Sequence, residues 1–369
     1  MNETQFERLA RALTGPRSRR AASALLGGLI AAPFLAPDDT AVKGKKRRKN
    51  KRKKRKHRCK GGLTRCGKDC LTLQNDNANC GACGKACAGS AQCQGQVCVP
   101  SYVERSFTPF TEPFDLFVDA SGAKFVTFTL QECVRQYSST YTLEYTYGIC
   151  GNQGSDNTRL GRPRDAVAYG NRVFISDYEN NRVQIFARNG AYVGQLASGP
   201  GSGNTQVTGP GGLALDANQN IYVADTDGHR VLMFNSSYAH VRTIGTGVPG
   251  PGNNQLISPT DLAVDGAGNL YVSDFGNTRV QKFSGADGSY LATFAGFPDI
   301  ENVAVTRAGD MFVRAGDGDF QVEQLTIEGK RVHAFPVTPT SEPLGVYVDT
   351  SDVLYILEEN GIRTYTPAT

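Results

Sequence analysis

The feature that most constrains this chain is a segment that repeats through residues 101–369. Three copies share one order: an apolar run, a Gly/Asn turn, an apolar run ending in Asp, then Arg and a third apolar run. They read PRDAVAYGNRVFISDYENNRVQIF from Pro163, PGGLALDANQNIYVADTDGHRVLMF from Pro210 and PTDLAVDGAGNLYVSDFGNTRVQKF from Pro259. Weaker copies begin near Pro113, Pro298 and Pro343. A period of 40 to 50 residues is typical of propellers and solenoids.

Each copy is predicted to form four short antiparallel strands, a to d, because alternating apolar runs are separated by Gly, Asn and Asp turns. In the copy from Pro210 the predicted strands are Gly212–Asp216, Ile221–Asp225, Arg230–Phe234 and His240–Ile244. One such sheet cannot bury both of its faces, whereas six sheets packed in a ring can. The repeat therefore predicts an all-β fold, a six-bladed β-propeller over residues 101–369.

The motifs LAVD, LYVSD and NTRVQKF, with a Gly or Pro before them, resemble NHL repeats. The resemblance is specific in the copies from Pro163, Pro210 and Pro259, and the other three depart from it. It implies the six-bladed propeller. Some propellers of this kind are metalloenzymes, namely amidating lyases with three zinc-binding His and lactonases with calcium in the central tunnel.

The most regular polar feature is an Asp at the end of strand b and an Arg five residues later. Because a tight turn returns strand c beside strand b, the two side chains are expected to meet. In the first copy both charges are missing together, since Phe128 and Cys133 stand there. We interpret the pairs as structural, and they are Asp177/Arg182, Asp225/Arg230 and Asp274/Arg279.

Cys133 begins the predicted strand c of blade one, and Cys150 follows strand d of the same blade. Antiparallel strands place both at one end of the blade, so a disulfide between them is sterically reasonable. It takes the place of the ion pair that this blade lacks.

The last copy leaves no residues for its own strand d, because the sequence stops three residues after strand c, Ile362–Thr366. Its other predicted strands are a, Gly345–Asp349, and b, Val353–Leu357. An unpaired strand edge is something that natural sheets avoid. Val103–Phe107 (VERSF) matches the strand-d pattern YLATF of Tyr290–Phe294. We therefore expect Val103–Phe107 to pair beside strand c of the sixth blade and close the ring.

The first hundred residues differ in charge from the repeats. They carry 22 Lys/Arg against 6 Asp/Glu, whereas residues 101–369 carry 18 against 29. Arg19 and Arg20 precede a 16-residue apolar stretch, Ala21–Ala36, which is too short for a membrane span and resembles a twin-arginine export signal. Residues 1–42 are therefore predicted to direct export, to the secreted fraction or the cell envelope.

Lys43–Arg58 contains 13 Lys/Arg in 16 residues. Such charge density opposes packing, so a disordered linker is predicted for residues 43–58. Behind an export signal, an anionic envelope surface is the expected partner. Nucleic-acid binding by this tract is an alternative that requires residence in the cytoplasm.

Residues 59–100 contain eight Cys between Cys59 and Cys98 and few large apolar residues, which predicts a small disulfide-rich module. Zinc is the rival interpretation, because Cys80 and Cys83 have ligand-like spacing. Which of the eight cysteines would form disulfides with one another stays open. The run CGKDCLTLQNDNANCGACGKACAGSAQCQGQVCV resembles the cysteine-rich module of stigma-specific Stig1-like proteins, and this resemblance implies no enzymatic role.

A search for chemistry in the repeats finds no convergent set. The His lie too far apart to share one zinc, in the basic tract, a b–c turn and two outer strands: His57, His229, His240 and His333. Four turn carboxylates are candidate calcium ligands but lack a complete ligand loop: Asp225, Asp227, Asp317 and Asp319. No nucleophile elbow or phosphate loop is found. The sequence thus predicts no catalytic residue, no metal ligand and no cofactor.

Three residues directly follow the strand-b Asp and are expected on one face as a possible binding rim: Tyr178, Thr226 and Phe275. From these features we expect an exported, envelope-associated, monomeric binding or scaffold protein that recognises a protein or glycan. The alternative is a lactonase-like hydrolase or a lyase with a central divalent metal ion.

Overall fold

The computed structural model describes residues 110, 112–316, 320–335, 342–359 and 361–367, and five strands between residues 64 and 107. All of them belong to one compact unit, Leu63–Thr369. The predicted export segment and basic tract lie outside the described residues, as does most of the cysteine-rich module. In that module β1 (Thr64–Cys66) pairs with β2 (Asp69–Leu71), and β3 (Gln92–Gln94) pairs with β4 (Val97–Val99). Its disulfides and its Stig1-like character stay predictions.

Six four-stranded antiparallel sheets, the blades, follow one another along the chain. Blade one is β6 (Asp115–Val118), β7 (Lys124–Phe128), β8 (Cys133–Tyr137) and β9 (Leu143–Gly148). Blade two is β10 (Pro163–Tyr169), β11 (Arg172–Asp177), β12 (Arg182–Ala187) and β13 (Tyr192–Ser198). Blade three is β14 (Pro210–Leu215), β15 (Ile221–Asp225), β16 (Arg230–Phe234) and β17 (His240–Ile244).

Blade four is β18 (Pro259–Val264), β19 (Leu270–Asp274), β20 (Arg279–Phe283) and β21 (Tyr290–Ala295). Blade five is β22 (Asn302–Val305), β23 (Met311–Ala315), β24 (Gln321–Leu325) and β25 (Arg331–Phe335). Blade six is β26 (Pro343–Val348), β27 (Leu354–Glu358), β28 (Gly361–Pro367) and β5 (Tyr102–Phe107). Short 3-10 turns, Thr129–Gln131 and Phe275–Asn277, follow β7 and β19.

Strand a of each blade contacts strand a of the next around a closed circuit, from β6 through β10, β14, β18, β22 and β26 back to β6. The all-β six-bladed propeller predicted from the repeat is therefore confirmed. Strands b and c are buried along most of their length, whereas residues of strand d alternate toward solvent, as in β17. The apolar core consequently lies between neighbouring blades.

The ring is closed by β5, which pairs antiparallel with β28 from Ile362↔Phe107 to Pro367↔Tyr102. The pairing supplies blade six with its fourth strand, at the position predicted for Val103–Phe107. Strand a differs slightly from prediction in blades three and six, because there it begins at the proline, two residues earlier than expected. In β14, Pro210 already pairs with Asp225, and a bulge before Leu213 restores the register.

Candidate functional site: the axial carboxylates

One position near the start of strand a recurs in every blade: it is the third residue counted from the repeat proline in five blades, and in blade five it is the fifth residue counted from Pro298. The six residues at this place, in blade order, are Asp115, Asp165, Gly212, Asp261, Asn302 and Gly345. Strand a is the strand that contacts its counterparts around the ring. Three carboxylates, one amide and two glycines are thereby brought to the propeller axis.

Asp115, Asp165 and Asp261 form the axial cluster: one carboxylate oxygen from each lies within 4.8 Å of the others. The three residues are only 7%, 6% and 7% exposed. Three buried like charges at this spacing repel one another strongly, so the arrangement favours either shared protons or a bound cation. The sequence analysis missed this cluster.

Two of these carboxylates connect neighbouring blades. Asp165 accepts hydrogen bonds from Ala166 N at 2.6 Å and, across the blade boundary, from Leu213 N at 2.7 Å. Asp261 accepts from Leu262 N at 2.8 Å and from Val303 N of blade five at 2.9 Å. Backbone donors of this kind bind ionised carboxylates well, so each side chain fastens its own strand a to the next.

Glycine makes room for one of these carboxylates. A Cβ on Gly212 would lie 2.6 Å from Asp261 Oδ1 and 2.7 Å from Asp261 Cα. Both distances are far inside van der Waals contact. Glycine at position 212 is therefore a packing requirement.

Asp115 differs from the other two. Its Oδ1 accepts a hydrogen bond from Leu116 N at 2.8 Å, and in the described part of the chain its Oδ2 accepts none. A carboxylate oxygen without a protein donor, beside two other carboxylates, favours a proton or a cation. Asp115 is therefore the member of the cluster whose second carboxylate oxygen is available to accept a hydrogen bond from a ligand.

The electrostatics of the cluster follow from burial. Burial, and then repulsion from Asp165 and Asp261, raises the pKa of Asp115 well above its usual range. Burial raises the pKa of Asp165 to about 6. Burial together with the Asp165 charge raises the pKa of Asp261 to about 8. The cluster therefore retains protons near neutral pH when no cation is bound.

A cavity of about 430 Å³, which we call the axial cavity, runs from the axial cluster along the strand-a residues. Its wall includes Phe117, Val167, Ala214, Ala263 and Tyr347. The lining continues to Ala120, Ala217 and Gly266 in the a–b turns, and these residues are exposed. The axial cavity thus ends at the cluster and opens at the a–b turns.

The three predicted Asp/Arg pairs make direct contact. Arg Nε lies 2.6 Å from Asp Oδ2 in Asp177/Arg182 and 2.7 Å in Asp225/Arg230 and Asp274/Arg279. A left-handed residue directly before each Arg, for example His229 with φ of 54°, turns strand c back beside strand b. Each Arg also donates to carbonyls of the loop from the preceding blade. The pairs therefore act as structural contacts that join each b–c hairpin to that loop.

Cys133 and Cys150 form a disulfide with Cα atoms 5.0 Å apart. Cys133 pairs with Phe128 in blade one as Arg230 pairs with Asp225 in blade three. The covalent bond therefore occupies the place that the ion pair has in the regular blades.

The three rim residues divide into two kinds. Tyr178 and Phe275 are half-buried on the b–c turn face. Thr226 differs from the expectation: it is 5% exposed, and its hydroxyl donates to Pro259 O at 2.8 Å. Thr129 of blade one makes the same contact with Pro163 O at 2.6 Å. A hydroxyl at this position forms a hydrogen bond with the next blade and is not presented to a ligand.

The other chemical candidates stay apart. His229 lies in a b–c turn and accepts from Ser258 N through Nδ1 at 3.0 Å. His240 and His333 lie on outer strands of different blades. Asp225 is engaged with Arg230, while Asp317 and Asp319 lie outside the described residues. Among the described residues no helix is both long and apolar enough to cross a membrane.

The NHL repeat family model matches residues 208–234 and 256–283, and no curated protein matches. Solved structures that resemble the propeller include a virginiamycin B lyase from Staphylococcus aureus (TM-score 0.51, 13% identity, covering 72% of this chain and 99% of that one). A gluconolactonase from Xanthomonas campestris gives a TM-score of 0.55 at 14% identity, covering 72% and 89%. A chain of a nidogen–laminin complex gives 0.51 at 17%, covering 64% and 84%.

At such identities the solved structures show the fold alone. They include lyases and a lactonase as well as a chain from a protein complex, so the fold is compatible with catalysis and with binding. The described residues between Tyr102 and Pro367 form a six-bladed β-propeller, and residues 208–234 and 256–283 within it match NHL repeats.

Proposed function

We propose that this chain is an exported binding protein whose propeller recognises a protein or glycan through its b–c turn face. The observation that carries the proposal is an arginine held between two aromatic rings on that face. Arg164 Cζ lies 4.6 Å from the Tyr178 ring centroid and 5.0 Å from that of Phe114. Arg and Tyr are the residues most enriched where binding energy concentrates in interfaces.

The surroundings support a preorganised surface. The Tyr178 hydroxyl approaches Asp227 Oδ2 at 3.4 Å. Position 209 needs a glycine beside this contact, because a Cβ there would lie 2.6 Å from Asp227 Oδ2. Contact with the two rings restrains the Arg164 side chain before a ligand arrives, and a restrained group loses less conformational entropy on binding.

In the same proposal, Lys43–Arg58 retains the exported chain at an anionic envelope surface. Its 13 Lys/Arg supply non-specific attraction that falls as salt rises. Deletion of residues 43–58 is expected to abolish most binding of the full chain to anionic vesicles at low salt. Binding that survives the deletion, or that resists raised ionic strength, contradicts this half of the proposal.

The recognition half is tested with partners captured from envelope extracts on the immobilised full chain and then purified. Arg164→Ala is expected to weaken binding of such a partner at least tenfold. Arg172→Ala is the matched control, because Arg172 follows the a–b turn and lies at the opposite end of strand b. Equal affinity of the two variants means that the b–c turn face is not the recognition surface.

A second candidate function is favoured by the axial cluster. Three converging carboxylates, with Asn302 beside them, offer oxygen ligands to a divalent ion, and the fold is shared with lactonases and lyases. A lactonase-like hydrolase or a lyase acting at the axis is the resulting hypothesis. Turnover of lactones that depends on added Ca²⁺ or Mg²⁺ and is lost in Asp261→Asn supports it. Turnover unchanged in that variant contradicts it.

A further inference from the structure

We propose that the axial cavity binds a primary ammonium group carried on a short apolar stem, with the ammonium at the axial cluster. This goes beyond the proposed recognition function, which uses the opposite face of the propeller. The occupant is also an alternative to a divalent ion, because the cluster accommodates one cation.

The first argument is charge. The cluster brings together three buried carboxylates. Arg314 is the cation whose charge acts on Asp115. However, its guanidinium is already occupied, since it pairs with Glu301 and donates from Nε to Pro343 O at 2.6 Å. A ligand cation is therefore the complement that the cluster lacks.

The second argument is hydrogen-bond geometry. An ammonium has three N–H donors, and acceptors about 2.8 Å from its nitrogen at tetrahedral angles lie about 4.6 Å from one another. The three carboxylate oxygens of the cluster fall within 4.8 Å of one another. Asp115 Oδ2, which accepts no hydrogen bond from the described residues, is ready to take one of the three donors.

The third argument is the wall below the cluster. On one side the Phe117 and Tyr347 rings meet edge to face with centroids 5.3 Å apart. On the other side, the small side chains of Ala214 and Ala263 leave the space open. An apolar stem gains dispersion contacts and burial here. A hydrated metal ion would instead need polar partners for its waters, so the wall favours an organic cation.

The entrance carries charged side chains of both signs. Asp119, Asp216 and Asp265 all contribute to the lining near the a–b turns. Asp119 is paired with Arg188 and Asp265 with Lys282. The propeller segment as a whole carries 29 Asp/Glu against 18 Lys/Arg. Because two of these carboxylates are paired and Arg307 also lines the cavity, attraction of a cation to the entrance rests on Asp216 and on the excess of Asp/Glu over the propeller segment.

The test is calorimetric titration of the full chain with n-butylamine at about pH 8.5, which lies above the pKa of about 6 for Asp165 and about 8 for Asp261 and where the amine is still charged. We expect saturable binding at one site. Butan-1-ol, which has the same stem without charge, is expected to bind at least tenfold more weakly. Asp115→Asn is expected to weaken butylamine binding at least tenfold, whereas Asp287→Asn, the same change of charge on the surface, is not.

The proposal is overturned if butylamine and butan-1-ol bind alike, if Asp115→Asn binds as tightly as the wild type, or if Ca²⁺ binds and butylamine fails to displace it. If Asp115→Asn does not fold, the proposal is tested on the wild-type protein by its melting temperature with each ligand. A melting temperature raised by butylamine but not by butan-1-ol or Ca²⁺ supports the site, and no rise overturns it. Loss of b–c face recognition in Arg164→Ala leaves these results unchanged, so failure of the two proposals is distinguishable.

Discussion

Arg230 Nε donates to Asp225 Oδ2 at 2.7 Å across the hairpin of β15 and β16, and the two side chains are only 7% and 0% exposed. The same carboxylate accepts from Thr208 N at 2.7 Å, and the same guanidinium donates to Ser202 O at 2.6 Å. The pair therefore joins the blade to the loop that enters it from the preceding blade.

Asp225→Ala and Arg230→Ala should each destabilise the propeller by about 3–5 kcal/mol, because each leaves a buried charge without its partner. The double variant should cost clearly less than the sum, which denaturant unfolding of all four proteins measures. The exposed pair Asp156/Arg159 is the control, and its coupling is expected to be much weaker because solvent screens the two charges. Strict additivity at Asp225 and Arg230 would show that the pair does not act as a unit.

The disulfide of blade one should replace the stabilisation that the missing ion pair gives elsewhere. Replacing Cys133 and Cys150 together by Ser removes a cross-link between residues 17 apart, which typically costs about 2–4 kcal/mol. The melting temperature of the double variant should be correspondingly lower than that of the wild type. An unchanged melting temperature contradicts the role assigned to this bond.

Gly212→Ala should destabilise the fold by about 1–3 kcal/mol through overpacking, since the new methyl would lie 2.6 Å from Asp261 Oδ1. Gly194→Ala is the matched control, because a Cβ on Gly194 in β13 meets nothing within 4 Å. Chemical denaturation compares the two. Equal stabilities would mean that the axis is less tightly packed than described.

The axial carboxylates should make stability fall as pH rises. Below about pH 4 they are protonated in the folded and the unfolded chain, so their favourable contribution is complete. It is lost as pH rises through the folded pKa of about 6 for Asp165 and about 8 for Asp261. Asp261→Asn, which mimics the protonated group, should lose less stability between about pH 7 and pH 9 than the wild type. Parallel melting curves across that range would contradict the raised pKa.

The blades could be predicted from sequence because their signals are local. In blade three, strands b, c and d lie where the alternation of apolar residues and turns placed them. The Asp/Arg pairs are five residues apart, so one hairpin is enough to bring them together. The start of strand a was less accurate, because the bulge after Pro210 has no mark in the apolar pattern.

The axial cluster could not be predicted in the same way. Asp115 and Asp261 are far apart in sequence and meet only because six blades close into a ring. A signal was nevertheless present: aligning five of the copies at their prolines gives Asp, Asp, Gly, Asp and Gly at one position, although Asn302 of the fifth copy lies two residues further from its proline. A polar residue facing small partners at an inner-strand position indicates a site on the axis. The burial of Thr226, by contrast, depends on the neighbouring blade and leaves no local trace.

Closure of the ring by β5 is the claim on which the axial cavity and the cluster both depend. Pairing of β5 with β28 over residues 102–107 and 362–367 is what completes the sixth blade. The most direct measurement compares thermal unfolding of two shortened chains, one beginning at Ser101 and one at Pro113. The account predicts a sharp cooperative transition for the first chain, and a broad transition or aggregation for the second, which lacks β5. Melting of the shorter chain as sharply and at as high a temperature as the longer one would contradict the closure and the blade count that rests on it.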